Sequence, residues 1–232
     1  MINLGMTPSL DALKKVMDGI NKKLGEAEVK AINDLAKSIQ EGWTDDIKSA
    51  FDRPTKTTTS SVKLWPAKLS QEAKGHTIEA TVLIRDKAPK GTAPATYLQS
   101  QALGGSRATK PFELLLVSQG RLPSGGFLQP ARSVPRDQFG NVPKTKIVKA
   151  LKSLQDDKPK RSRIEYVIAQ PKGKSLGIWE RDNQARTLSP YFIFKSGKQE
   201  VKERLRLADT ANKIMDEKAP HYLRLRIGEG IK

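Results

Sequence analysis

The chain has 232 residues, 37% hydrophobic and only 6% aromatic, with 42 Lys/Arg against 25 Asp/Glu and a formal net charge of +17. With no cysteine there is no disulfide and no thiolate metal site, and no apolar run reaches the ~18 residues that a membrane helix needs. Residues 1–60 hold nine basic and nine acidic side chains, so all of the +17 lies in 61–232, and a polyanion or an acidic protein face is the expected neighbour of that part.

The opening "MINLGMTPSLDALKK" has no basic start followed by an apolar block, so no secretory leader is expected. Lack of cysteine suits synthesis in a reducing interior. "TPSLDALKKVMDGINKKLG" predicts a first helix, with Thr7 as N-cap, Pro8 in the first turn and Gly25 as its stop. A second, longer helix follows, with an apolar stripe through Val29, Ile32, Leu35, Ala36, Ile39, Trp43, Ile47 and Phe51 and an end at Pro54. A stripe that long needs a partner surface, either the chain's own sheet or another subunit.

"TKTTTSSVKLW" and "HTIEATVLIRD" alternate like strands, with a turn in "PAKLSQEAKG" between them. "APATYLQSQALGG" predicts a short helix or loop. "KPFELLLVSQG" predicts a helix starting at Pro111 and ending at Gly120. "RLPSGGFLQPARSVPRDQFGN" reads as a loop of about 20 residues, a length usually kept for functional or mobile segments. After Pro143 comes a helix that turns Ile147, Val148, Leu151 and Leu154 one way and Lys146, Lys149 and Lys152 another. "QDDKPKRSR" is a charged linker; "RIEYVIAQ", "SLGIWERD" and "TLSPYFIFK" are three strands; a last helix covers about 198–217 and stops before Pro220. "HYLRLRIGEGIK" alternates Leu and Arg and predicts an edge strand or arm.

Catalytic signatures are missing from this order. The two histidines, His76 and His221, stand 145 positions apart, and no HExxH, GxSxG or Walker spacing occurs. "GGSRATK" lacks the loop length of a phosphate cradle and reads as a turn. Asp156 and Asp157 are adjacent in a charged linker, where neighbouring side chains do not face each other. No enzyme activity, cofactor or metal is therefore expected. Nucleic acid is a more serious alternative: the lysines of 144–163 suit phosphate contacts, although aromatic interleaving for base stacking is poor.

"VPRDQFGNVP" has the chemistry of a tight corner. Asp137 accepts from backbone two residues on, and Gly140 and Asn141 tolerate positive φ. Such a corner either serves the fold alone or docks a partner. Candidate interface residues are Arg121, Phe127, Arg132, Arg136, Asp137, Phe139, Gly140 and Asn141 in the loop, with Lys146, Lys149 and Lys152 on the helix after it.

The order of these motifs resembles bacteriophage tail-completion and minor tail proteins of the minor tail protein Z type. "EVKAINDLAKSIQ" is similar to that family's long N-terminal helix, with Ala31, Asn33 and Ala36 in its Ala-x-Asn-x-x-Ala core. The run from "RATKPFELLL" through the "GRLP" turn and "DQFGN" corner to "KIVKALKSL" resembles the central block, and "LGIWERD" with "LSPYFIFK" resembles the strand pair after it. The resemblance spans about 26–218. It implies a non-catalytic virion part at a head–tail joint, assembled in the host cytoplasm, that forms a homo-oligomeric ring with portal, neck or tail neighbours, and no cofactor.

The expected fold is α+β: a long N-terminal helix packed on an antiparallel sheet from 62–85 and 164–195, with a loop-and-helix insertion at 86–160 that projects from it. The expected organisation is a helical extension at 1–25, an α+β body at 26–218 and a C-terminal arm at 219–232. The alternative function is a basic accessory protein that contacts DNA phosphates through 144–163.

Overall fold

A computed structural model of the chain describes residues 10–69, 78–88, 91–155 and 162–230. In chain order the elements are α1 (Leu10–Ala50), α2 (Lys56–Thr59), β1 (Val62–Trp65), β2 (Thr81–Ile84), α3 (Pro94–Leu103), β3 (Gly105–Ser106) and α4 (Pro111–Ser118). They continue with β4 (Phe127–Pro130), α5 (Lys144–Gln155), β5 (Ile164–Ala169), β6 (Gly177–Asp182), β7 (Thr187–Lys195), β8 (Glu200–Val201) and α6 (Leu207–Gly230). The fold is α+β, with a long N-terminal helix and antiparallel sheets. Two compact units divide it: the described parts of 1–50, 56–95 and 205–232, and those of 51–55 and 96–204.

The first unit is an antiparallel helix pair with a β-ribbon. The two expected N-terminal helices are one, because Gly25 does not stop α1. Glycine inside a helix costs only about 1 kcal/mol relative to alanine, and a Cβ there would meet Leu69 Cδ1 at 3.1 Å, so the missing side chain makes room for a neighbour. The expected N-cap and first-turn proline, Thr7 and Pro8, lie outside the described residues.

Helix α6 runs back along α1. Trp43 Nε1–H donates to the Leu207 carbonyl (2.8 Å), Thr210 Oγ1 to Asp46 (2.6 Å) and Arg226 Nε to Asp34 (2.7 Å), while Ser38 and Tyr222 share a hydroxyl bond of 2.9 Å. Small residues let the axes approach: a Cβ on Gly42 would stand 2.6 Å from Ile214 Cδ1. The expected helix end before Pro220, and the strand or arm after it, are replaced by continuous helix to Gly230. A proline loses one internal hydrogen bond, but the contacts of Tyr222 and Arg226 with α1 keep the following turns helical.

The ribbon pairs β1 with β2, Val62 opposite Ile84 through Trp65 opposite Thr81. Asn33 ties it to α1 with both ends of its amide: Nδ2 donates to the Ala67 carbonyl (3.1 Å) and Oδ1 accepts from the Ala67 amide (2.7 Å). Ala31 and Ala36, beside it in sequence, are buried.

The second unit is a four-stranded antiparallel sheet in the order β4-β7-β6-β5. The ribbon of 62–85 is not part of this sheet, so the expected single sheet is two. The described part of the expected insertion at 86–160 contributes to this unit. It supplies edge strand β4 and the helices α4 and α5, whose Leu116 and Ala150 are buried with Leu122, Leu128, Tyr166, Ile178, Tyr191 and Phe192 in one core. The expected loop at 121–141 therefore contains a strand. Its Pro130 is tolerated because β4 is an edge. Pro190 stands in central strand β7 where the register with β6 shifts at Ile178/Trp179, the kind of irregularity that a proline requires. Gly177 permits close backbone approach, since a Cβ there would lie 2.2 Å from the Phe192 carbonyl oxygen.

Candidate docking site at the Asp137–Asn141 corner

Asp137 closes the corner on itself. One oxygen of its carboxylate, Oδ1, accepts from the amides of Phe139 (2.9 Å) and Asn141 (2.9 Å). Its own amide donates to the Asn141 carbonyl (2.8 Å), and the Gly140 amide donates to the Asp137 carbonyl (2.9 Å). Gly140 has φ +79°, a left-handed conformation that glycine adopts at no steric cost. Arg136 Nη1 donates across the turn to the Gly140 carbonyl (3.1 Å). The result is a rigid turn that hands the chain to α5, whose first turn begins with the Lys146 amide donating to the Pro143 carbonyl (2.9 Å).

A cavity of about 190 Å³ opens beside the corner. Phe112, Leu128, Phe192, Val142 and Ile147 give it apolar walls, and Lys110, Arg136 and Asn141 are among its polar lining. Behind it stands Glu113, fully buried at 0% exposure. Its carboxylate accepts from Arg107 Nη1 (2.9 Å) and Nη2 (2.6 Å) and from the amides of Lys110 (2.8 Å) and Leu128 (2.9 Å). Burial pushes the Glu113 pKa up, but the Arg107 hydrogen bond and the two amides outweigh it and hold the carboxyl below its usual range. One side chain thus joins the start of α4, edge strand β4 and the Arg107 segment. Lys110 Nζ lies over the Phe112 ring at 5.8 Å, and desolvation, with the Arg107 charge second, holds its pKa below the usual lysine range.

The candidate residues divide by environment. Arg132, Arg136, Asp137 and Asn141 are exposed around the corner, while Phe139 and Gly140 are half-buried. Arg121 is engaged within the fold: its Nη1 donates to the Leu154 carbonyl at the end of α5 (2.6 Å), as a cation at a helix C-terminus does. Phe127 is half-buried in β4 beneath the Arg107 guanidinium, 5.6 Å from the ring centroid. Lys146, Lys149 and Lys152 are all exposed on α5. Of the further cations of 144–163, Arg163 pairs with Asp182 (3.3 Å), while Lys158, Lys160 and Arg161, the Asp156–Asp157 pair and His76 lie outside the described residues.

Sequence reasoning missed Glu113, Arg107 and Lys110. The signal was present in "KPFE", where a helix starting at Pro111 puts a glutamate at the third position, able to reach back to the cap amide.

Among the described residues no group of three or more His, Cys, Asp or Glu could hold a metal ion, and no helix is long and apolar enough to cross a membrane. No protein-family model matches the chain, and no curated protein or solved structure matches it.

Proposed function

We propose that this chain is a structural protein of a bacteriophage neck or tail, joining portal, neck or tail neighbours through the corner at 132–141 and assembling as a ring of copies. The observation that carries the reading is the self-locked corner, with Arg132 and Arg136 exposed and Arg136 lining the cavity beside it. A turn that rigid presents its side chains without a large ordering cost on binding. The resemblance in motif order and the net charge of +17 support it as well. So does α1, which extends past the last turn of α6: Gly230 packs at Ala27 and Lys23, while Val16, Met17 and Ile20 remain more than half exposed. Exposed apolar side chains at helical spacing suit burial between subunits.

Removing 121–142 does not test this, because it deletes the core residues Leu122, Leu128 and Val134. The test is the double substitution Arg132→Glu and Arg136→Glu, both at exposed positions. The variant should melt like the parent yet fail to support particle assembly. Normal particle numbers from a variant that folds would overturn the docking role.

The exposed Lys144, Lys146, Lys149 and Lys152 on α5 favour a second reading, a basic accessory protein that contacts DNA phosphates. Binding to duplex DNA that weakens with a log–log salt slope of about −3 to −4, one unit lost per lysine replaced, would support it.

A further inference from the structure

We propose that the corner cavity receives one apolar side chain of a protein partner whose adjacent acidic residue places its carboxylate on Lys110 and Arg136. The idea rests on the docking reading for the partner being a protein, and it adds what chemistry that partner presents.

Size is the first argument. The cavity measures about 190 Å³, and a dry cavity of about 150 Å³ lined by aliphatic and aromatic side chains already takes benzene. One phenyl or branched aliphatic side chain therefore fits against the Phe112, Leu128 and Phe192 walls.

Charge is the second. Among the described residues neither Lys110 nor Arg136 makes an ion pair. Arg136 spends one donor on the Gly140 carbonyl, and a guanidinium has five. The carboxylates nearest in sequence are already engaged: Glu113 accepts four hydrogen bonds, and Asp137 Oδ1 holds two amides of its own turn. Two cations lining a cavity whose walls include no acidic side chain are complemented by an anion brought from outside.

Preorganisation is the third. Asp137 fixes one side of the cavity and Glu113 the other, so little must be ordered when a ligand enters.

The test uses the full chain and blocked dipeptides, followed by amide chemical shifts. Ac-Glu-Phe-NH2 should shift the Phe112, Asn141 and Ile147 resonances at millimolar concentration. Ac-Gln-Phe-NH2 should bind about fivefold more weakly, since a charge-assisted hydrogen bond is roughly twice as strong as a neutral one. The double variant Lys110→Met, Arg136→Met, checked for an unchanged melt, should erase the difference between the two peptides. N-acetylphenylalanine tests a chain-end carboxylate instead, and its binding more tightly than the glutamyl peptide would overturn the side-chain assignment. Equal binding of the glutamyl and glutaminyl peptides, or no shift at these residues, would overturn the proposal. If the peptides fail while Arg132→Glu/Arg136→Glu still blocks assembly, only this inference falls. If the peptides bind and that variant assembles normally, the docking reading falls and the pocket stands.

Discussion

Replacing Glu113 by alanine is the most informative single perturbation of the fold around the site. The carboxylate is fully buried and its Arg107 partner is 15% exposed. Removal leaves the amides of Lys110 and Leu128 without their acceptor. An orphaned buried donor costs about 1–3 kcal/mol, and breaking a buried ion pair from one side costs about 3–5 kcal/mol. These losses overlap and do not add. Arg107 also keeps two other acceptors, Gln199 Oε1 and the Ala108 carbonyl, which moves its share to the low end. A loss of about 4 kcal/mol is expected, a large part of the ~5–15 kcal/mol that stabilises a typical domain. Glu113→Gln retains the shape and one acceptor oxygen but turns its own amide donor toward other donors, so it should lose about half as much.

Urea unfolding followed by tryptophan fluorescence reads this, because Trp179 is buried in the sheet of the same unit. The pH dependence provides a second check. The folded pKa of Glu113 lies below its unfolded value, so its contribution is whole above about pH 4.3, the ordinary glutamate value. It is lost as pH falls through the lower folded value. Glu113→Gln should lack that acid-side loss. An alanine variant within about 1 kcal/mol of the parent would refute the claim that Glu113 ties the unit together.

Three further outcomes are expected. Gly177→Ala should yield an unfolded second unit, because its Cβ would lie 2.2 Å from the Phe192 carbonyl oxygen in a central ladder; a native amide spectrum from that variant contradicts the β6–β7 register. Asp137→Ala should cost about 1 kcal/mol and speed hydrogen exchange at the Phe139 and Asn141 amides, while unchanged exchange would show that the corner is held some other way. With its pKa lowered, Lys110 should be acetylated ahead of Lys144, Lys146 and Lys149 under limiting reagent at pH 8, read by peptide mass; slower modification than those lysines goes against the account.

Sequence made the three-strand run 164–195 legible because alternation and Gly/Asp turns act locally. The helix starts at Pro111 and after Pro143 were legible for the same reason. Gly25 and Pro220 misled because local propensity costs only about 1–3 kcal/mol, and tertiary partners decided both cases: Leu69 beside Gly25, and α1 beside the helix after Pro220. Pairing between distant segments left no local trace, so the split of 62–85 from 164–195 and the recruitment of "FLQP" as an edge strand could not be read. The corner itself was readable from Asp137 and Gly140, whereas Asn141 does not take the positive φ it tolerates and joins the turn through its backbone. Its cavity was not, since Phe112, Leu128, Ile147 and Phe192 come together only through the fold. Ala36 is buried, as its place on the expected apolar stripe requires, and Asn33 serves the β-ribbon.

The most direct measurement of the central claim is the protein content of purified virions from cells that encode this chain, beside virions produced with the Arg132→Glu/Arg136→Glu variant. The account predicts the parent chain in particles at a fixed copy number, and a folded variant left in the soluble fraction among incomplete particles. A parent chain absent from finished particles, or a variant incorporated at the parental level, would contradict it.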